Sequence, residues 1–214
     1  MPEISLFPIP NVIAFPGTVL PLHIFEPRYR TMVDDCIHLS RMIGVCHTKK
    51  EIRPAPPRQT PENALSANQA TYQPFEVFSA GECEVIERTS DGRILANVHL
   101  ADRYIAGDEI QTLPYRIVSA ELLRDEPTEE DLGGLCASIH QLFLAIIEKQ
   151  NSSLANSINE ARWTEMPPGE YSFKLFQFLR FEPELMQELL SSTNIKSRLD
   201  QIHQILIVNA PKTG

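Results

Sequence analysis

Two short motifs hold the side chains best suited to metal binding or nucleophilic chemistry, Cys36-x-His38 and Cys46-His47. Zinc prefers such ligands, but a structural zinc site needs four of them, usually from paired motifs with short spacings. Cys36 falls on the apolar positions of a predicted helix, and Cys46 ends an apolar run. With a metal site as the alternative, we predict buried, unmetallated thiols at the four cysteines, Cys36, Cys46, Cys83 and Cys136.

The sequence also lacks the motifs that usually bind nucleotides or build a hydrolase site. It contains no G-x-x-x-x-G-K-[ST], G-x-G-x-x-G, G-x-S-x-G or H-E-x-x-H motif. A Cys–His nucleophile needs its base within hydrogen-bond reach, and neither motif indicates such a pairing. Glu26, Asp34 and Asp35 are better explained by the capped start and the solvated side of a short helix. We therefore predict a protein that is not an enzyme and uses no cofactor, and we keep a small hydrolase as the third hypothesis.

Charge and hydrophobicity limit the classes of partner. The chain has 214 residues, a hydrophobic fraction of 43% and a formal net charge of -9. This charge disfavours long-range attraction to nucleic acid and to anionic membranes. Prolines at positions 8, 10, 16 and 21 interrupt the apolar opening segment, which argues against a signal peptide and against a membrane span. We expect a cytoplasmic protein that does not bind membranes.

The first part of the chain is predicted to be rich in β-strands. Asp91-Gly92 between two β-rich runs predicts a hairpin turn, because glycine readily takes positive φ. Ile94, Ala96, Val98 and Leu100 should face a core. The proline-rich stretch 48–74 is predicted to be a long, mobile connection that is either functional or partly disordered. We expect extended segments over 3–9, 11–25, 41–46, 84–100 and 115–123, and one helix near 27–38.

From Thr128 onward the apolar spacing becomes helical. Thr128-Glu-Glu-Asp131 resembles an N-terminal capping sequence. The aromatic residues between Trp163 and Phe181 are predicted to pack in a core. We expect helices over 132–147, 154–163, 169–181, 183–192 and 195–207. The sequence therefore predicts an α+β protein with a β-rich subdomain over 1–122 and a helical subdomain over 123–214.

One segment resembles the signature of a known family. The stretch Phe7-Pro-Ile-Pro-Asn-Val-Ile-Ala-Phe-Pro-Gly-Thr-Val-Leu-Pro-Leu-His-Ile-Phe-Glu-Pro-Arg-Tyr-Arg30 is similar to the N-terminal signature of the Lon substrate-binding domain family. The resemblance continues through Met32-Val33 and Ile43-Gly44-Val45, and it is weaker over 81–100 and 172–206. It implies a PUA-like β-barrel, or pseudobarrel, followed by an α-helical bundle. In Leu100-Ala-Asp-Arg-Tyr104 the glycine that the family often has before an Arg-Phe pair is not evident.

The family resemblance implies a role in engaging polypeptides. Full-length Lon proteases add an ATPase and a Ser–Lys protease domain, so we expect this chain to be a stand-alone, non-catalytic relative. The leading hypothesis is a cytoplasmic module of protein quality control that binds unfolded or flexible polypeptides or acts as a protein-interaction adaptor. An RNA-binding PUA-like module is the alternative. Core packing competes with binding at each candidate polypeptide-binding residue: Phe25, Arg28, Tyr29, Phe75, Phe78, Arg103 and Tyr104.

Overall fold

The computed structural model of the protein describes residues 1–56, 65–161 and 163–209. Its strands are β1 (Glu3–Pro8), β2 (Thr18–Ile24), β3 (Ile43–Cys46), β4 (Thr48–Arg53), β5 (Thr71–Pro74), β6 (Val77–Arg88), β7 (Ile94–Gln111) and β8 (Ile117–Leu122). Its α-helices are α1 (Pro27–Leu39), α2 (Gly133–Gln150), α3 (Ser152–Glu160), α4 (Pro168–Lys174), α5 (Pro183–Ser191) and α6 (Ile195–Asn209). The predicted α+β class, with β-strands first and a helical C-terminal part, is confirmed.

The chain divides into two units. Unit 1 consists of Met1–Leu123 together with Arg180–Ser191, and unit 2 consists of Arg124–Leu179 and the residues from Ser192 onward. Helix α5 thus belongs with the β-rich residues, where the Gln187 amide donates to the carbonyl oxygen of Val77 at 3.0 Å. The subdomain boundary after residue 122 stays a prediction.

Six strands of unit 1 form one sheet in the order β2-β7-β6-β3-β1-β8. Strand β7 also pairs with β8, so β7, β6, β3, β1 and β8 make a closed ring of pairings. Among the described strands, β2 pairs with β7 alone. The pairing of β1 with β3 is parallel, and the other pairings in this sheet are antiparallel. The long strand β7 is therefore the element that joins β2 to the ring.

The opening segment supplies much of the core of unit 1, as its apolar composition predicts. Phe7, Leu22 and Ile24 are buried together with Tyr29 and Met32 of helix α1. The four residues of β7 that were expected to face the core, Ile94, Ala96, Val98 and Leu100, are all buried. The β6–β7 hairpin is confirmed: Gly92 has a φ of 87°, and its N–H donates to the Thr89 carbonyl oxygen at 2.9 Å.

The prediction of a long, mobile connection over 48–74 is wrong at both ends of that stretch, where paired strands lie. Strands β4 and β5 pair antiparallel as a separate two-stranded sheet, with Thr48 opposite Pro74 and Arg53 opposite Thr71. Both strands are mostly polar and no residue of either is buried. Pairing depends on backbone groups, so a strand without an apolar face leaves no alternating signal in the sequence. Residues 57–64, from the same predicted stretch, lie outside the described residues.

The longest helix of unit 2 buries one apolar stripe. Helix α2 buries Cys136, Ile139, Phe143 and Ile147 at helical spacing. The ring of Trp163 stacks on Phe143 with centroids 5.9 Å apart, as expected for core packing. A helix was predicted over 169–181, but α4 ends at Lys174 and a single 3₁₀ turn follows it. Among the described residues, no helix is both long enough and apolar enough to cross a membrane.

Candidate functional site

The start of helix α1 is tied to the segment before β5 by one guanidinium group. Arg28 donates from Nε to Oε2 of Glu26 at 2.9 Å, from Nη1 to the Thr71 hydroxyl at 3.0 Å, and from Nη2 to the Ala70 carbonyl at 2.8 Å. The side chains of Arg28 and Glu26 are only 10% and 12% exposed. Each donor nitrogen of Arg28 is therefore used within the protein, which fixes the helix against residues 70 and 71.

Glu26 takes part in the same network. Besides the Arg28 guanidinium, it accepts the backbone N–H of Gln69 at 2.9 Å. Burial raises the pKa of the Glu26 carboxyl, and the hydrogen bonds from Gln69 and Arg28 offset only part of this effect. Glu26 is at the N-cap position of α1, but the predicted capping role is wrong, because its side chain makes no cap hydrogen bond.

A small pocket of about 90 Å³ lies beside this network. The aromatic ring of Tyr29 forms part of its wall and packs edge-on against Phe7, with centroids 4.4 Å apart. Leu113 also lines the pocket, and 79% of this residue is exposed to solvent. The lining residues are Leu6, Pro8, Arg28, Tyr29, Thr71, Tyr72, Thr112, Leu113, Pro114, Tyr115 and Arg116.

The composition of the pocket favours binding over catalysis. Cys, His, Asp and Glu are all missing from its lining, taken over the part of the chain that the structure describes. Burial raises the pKa of the Tyr29 hydroxyl. Desolvation, together with the hydrogen bond to Asp35, raises the pKa of Tyr115. Both phenols thus stay protonated. A pocket of this volume has room for about three water molecules, which matches one aliphatic side chain.

The seven candidate residues predicted from the sequence do not form one site. Arg28 and Tyr29 both line the pocket. Phe25 is half-buried and its ring lies 6.1 Å from that of His23. Phe75 is also half-buried, and its ring stacks on His47 at a centroid distance of 5.1 Å.

The other three candidates are buried within unit 1. Phe78 and Tyr104 are stacked with centroids 6.3 Å apart and are 0% and 7% exposed. Arg103 is 3% exposed and donates to the carbonyl oxygen of Leu190. These positions support the core-packing interpretation for the three side chains, and a binding role for any of the seven stays a prediction.

Sequence reasoning missed the pocket residues Tyr72, Leu113 and Pro114. Tyr72 lies in the stretch predicted to be a mobile connection, so its position in the pocket wall was not predicted. Leu113 could have been found, because an apolar Leu-Pro pair in a polar turn between two strands has no core to enter. Such an exposed apolar residue is a recognisable signal when it occurs beside other apolar surface.

The cysteines do not assemble a reactive or metal-binding centre in the described part of the chain. Cys36, Cys46 and Cys136 are buried and Cys83 is half-buried, all as free thiols. Burial raises the pKa of Cys83 to about 11 and that of Cys136 to about 11. Thiols with raised pKa are poor nucleophiles at neutral pH. Over residues 1–56, 65–161 and 163–209, no three His, Cys, Asp or Glu side chains are grouped as metal ligands would be.

Sequence comparison identifies a family. A family model described as the ATP-dependent protease La (LON) substrate-binding domain matches residues 3–208. Curated relatives include Lon protease 1 of Herpetosiphon aurantiacus, which is 24% identical over 211 residues, and a Lon protease of Syntrophus aciditrophicus, which is 25% identical over 222 residues. These alignments cover 95% and 98% of this chain, but only 24% and 25% of the relatives. The chain thus spans about a quarter of the length of those curated relatives.

Structural comparison gives the same fold. The N-terminal domain of a Lon protease from the Mycobacterium avium complex superposes with a TM-score of 0.70 at 15% identity, covering 96% of this chain and 98% of that one. A Lon N-terminal domain protein from Xanthomonas campestris gives a TM-score of 0.61 at 16% identity, with 99% and 100% coverage. At these identities the likeness establishes the fold.

Proposed function

The chain belongs to the ATP-dependent protease La (LON) substrate-binding domain family, and from this premise we propose that it binds unfolded or flexible polypeptide without catalysing a reaction. The observation that carries the proposal is the apolar pocket between Tyr29, Tyr72 and Leu113. A folded partner keeps most of its large apolar side chains in its own core. An extended chain presents its apolar side chains freely, so it is the better occupant.

The pocket sets the expected strength of binding. Moving one aliphatic side chain from water into an apolar site contributes about 1.5 to 3 kcal/mol. One such contact gives weak binding, because association also costs translational and rotational freedom. Weak, exchangeable contacts suit a module that holds many different polypeptides briefly. We propose the same role, or that of a protein-interaction adaptor, within cytoplasmic protein quality control.

An RNA-binding function has less support. The net charge of -9 opposes attraction to phosphate groups. The guanidinium of Arg28, which would be the obvious phosphate ligand at the pocket, donates to Glu26, Thr71 and Ala70 instead. A nucleic acid would have to compete with these bonds.

We also propose a more specific fold for unit 1. The ring of pairings β7-β6-β3-β1-β8 supports assigning unit 1 to the PUA-like β-barrels, because closure removes strand edges within the ring. This assignment concerns architecture, and fold alone does not determine function.

The polypeptide-binding proposal is tested with fluorescein-labelled casein, a loosely folded protein, by fluorescence anisotropy. Leu113→Ser should weaken binding about tenfold, which corresponds to about 1.4 kcal/mol of lost contact. Leu39→Ser is the matched control, since Leu39 is a 61% exposed leucine on α1. Melting temperatures should stay unchanged in both variants. Equal binding by the wild type, Leu113→Ser and Leu39→Ser would rule out the pocket, and no binding of casein by the wild type would rule out the function.

A further inference from the structure

The outer face of strands β2, β7 and β6 carries three aligned rows of side chains. The register places Val19 opposite His99 and His99 opposite Glu82. The next row is formed by Pro21, Asn97 and Glu84, and the third by His23, Leu95 and Glu87. Directly paired residues point to the same side of a sheet, so these nine residues share one face. We call them the outer face.

The opposite side of the same strands is the core. Leu22 and Ile24 of β2 alternate with the outer-face residues and are buried, as are Ala96 and Val98 of β7. On the outer face, by contrast, Val19 is 51% exposed, and Pro21 and His23 are exposed as well. Among the described residues of unit 1, this side of the three strands therefore presents only exposed or half-buried side chains.

The outer face is mainly apolar along β2 and acidic along β6. The β2 border presents Val19, Pro21 and His23, and the half-buried ring of Phe25 contacts His23 at the end of this column. The β6 border presents three exposed glutamates, Glu82, Glu84 and Glu87. Strands lie about 4.8 Å apart, so the apolar and acidic columns are separated by about 10 Å.

The acidic column is paired at one position in the part of the chain that the structure describes. Glu84 contacts His99 Nε2 at 3.0 Å. In the described residues, Glu82 and Glu87 have neither an ion pair nor a side-chain hydrogen bond. Two of the three carboxylates therefore remain available to a cationic group, and the whole column repels an anionic one.

We propose that the outer face is a polypeptide-docking surface that selects flexible segments combining apolar and basic residues. This inference rests on the proposed function and names the substrate class. Aliphatic side chains of the segment pack on Val19 and Pro21, while lysine or arginine side chains reach across His99 and Asn97 to the glutamates. Segments rich in Asp and Glu are rejected by the same carboxylates.

The open edge of β2 favours docking on the face over addition of another strand. Pro21 lies in the middle of β2 and has no N–H. Because proline is tolerated in a sheet where its nitrogen points away from the ladder, the free edge lacks one donor at its centre. Proline at an edge is a known obstacle to strand addition. A segment that lies across the side chains does not need that donor.

The experiment uses two labelled peptides of equal length, built from Leu-Lys-Ser-Gly repeats or from Leu-Glu-Ser-Gly repeats, and the full chain. The test variant combines Glu82→Gln, Glu84→Gln and Glu87→Gln. The control combines Glu129→Gln, Glu148→Gln and Glu160→Gln, which are exposed positions of unit 2 and change the net charge equally. The test variant should lose about tenfold in affinity for the lysine peptide, as expected for three exposed charge contacts.

Each outcome decides the proposal. A tenfold loss confined to the test variant, with negligible binding of the glutamate peptide to the wild type, supports it. Equal losses in both triple variants would show attraction to net charge alone and overturn it. Unchanged lysine-peptide affinity in the test variant, with casein binding still weakened in Leu113→Ser, would overturn the outer face and leave the pocket in place. If the wild type bound neither peptide nor casein, the proposed function itself would fail.

Discussion

Arg198 and Asp125 form a two-point ion pair within unit 2. The guanidinium donates from Nη1 to Oδ1 at 2.9 Å and from Nη2 to Oδ2 at 2.8 Å. Arg198 is fully buried, its Nε donates to the Ser172 hydroxyl at 2.8 Å, and it lies 4.1 Å from the ring centroid of Phe173. One side chain of α6 thereby holds both α4 and the segment that leads into unit 2.

The first prediction concerns this ion pair. Asp125→Asn keeps the size of the side chain but leaves the Arg198 charge without its counter-ion in a buried position. Removal of one partner from a buried pair costs about 3 to 5 kcal/mol. The free energy of unfolding, measured with urea, should fall by about 3 kcal/mol, the lower end of that range, because Asp125 is partly exposed.

Asp200→Asn is the matched control for that measurement. Asp200 pairs with Lys196 at 2.7 Å, but both side chains are 46% exposed. Exposed pairs at this spacing contribute about 0.3 to 0.5 kcal/mol. Similar losses in the two variants would show that burial of Arg198 does not set the strength of its ion pair.

A second prediction concerns Arg28. Lysine cannot reproduce the planar set of donors that reaches Glu26, Thr71 and Ala70 together. Arg28→Lys should lower the free energy of unfolding by about 1 to 2 kcal/mol and should speed hydrogen exchange at the Gln69 amide, which donates to Glu26. Hydrogen exchange followed by mass spectrometry measures this directly.

Arg88→Lys provides the comparison for Arg28→Lys. Arg88 pairs with Asp34 at 2.6 Å on the exposed surface, where an ion pair contributes little. Exchange at Gln69 should not change in this variant. If Arg28→Lys also left exchange at Gln69 unchanged, the guanidinium would not be what holds this segment against α1.

His47 gives unit 1 a pH dependence. The backbone N–H of Asn11 donates to His47 Nδ1 at 3.1 Å, which requires an unprotonated nitrogen. Burial lowers the pKa of His47. A lowered folded-state pKa means that this stability is fully present above the unfolded pKa of about 6.5. It is then lost as pH falls through the lower folded-state value.

His47→Phe should reduce this pH dependence, because phenylalanine can keep the stacking on Phe75 but cannot titrate. At neutral pH the variant should lose about 1 kcal/mol, the value of one hydrogen bond. Urea unfolding at neutral pH and near pH 5 measures both effects. His140 in unit 2 also has a pKa lowered by burial and keeps part of the dependence. A variant profile parallel to that of the wild type would contradict a role for His47.

Helical and hairpin signals allowed much of the fold to be predicted. Tyr29, Met32, Val33 and Cys36 were expected on one side of a helix, and all four are buried in α1. Their spacing repeats with the helical turn, so the buried face can be read locally. The hairpin turn at Asp91-Gly92 is local in the same way. The family resemblance, which is carried mainly by the motif over 7–30, was confirmed by the family model that matches residues 3–208.

Features that depend on distant contacts could not be predicted. The sequence predicts a strand only up to Leu100, so Tyr104 was expected near a strand end, but it lies within β7 and the β6–β7 pairing places it opposite Phe78. The pocket joins Tyr29 to Leu113 through residues far apart in the sequence. The outer face also requires the register of three strands. Neither register nor ring closure is determined by a local pattern, so these sites appear only in the folded structure.

The last prediction contrasts two glycines. Gly81 lies in β6 beside an irregularity in its pairing with β7. A Cβ added at Gly81 would lie 1.7 Å from the backbone oxygen of His99, which cannot move without breaking the strand pairing. At Gly134 in α2, a Cβ would meet nothing within 4 Å. The same substitution should therefore have opposite effects at the two positions.

Gly81→Ala should lower the free energy of unfolding by at least about 2 kcal/mol, as expected for overpacking against backbone. It should also weaken lysine-peptide binding, because Glu82 and His99 of the outer face flank the clash. Gly134→Ala should raise the free energy of unfolding by about 0.5 kcal/mol, since alanine has a higher helix propensity than glycine. Urea unfolding of both variants measures the difference. A neutral Gly81→Ala would mean that the backbone contact at β6–β7 does not require glycine at position 81. Destabilisation by Gly134→Ala would contradict the expected gain in helix stability at that position.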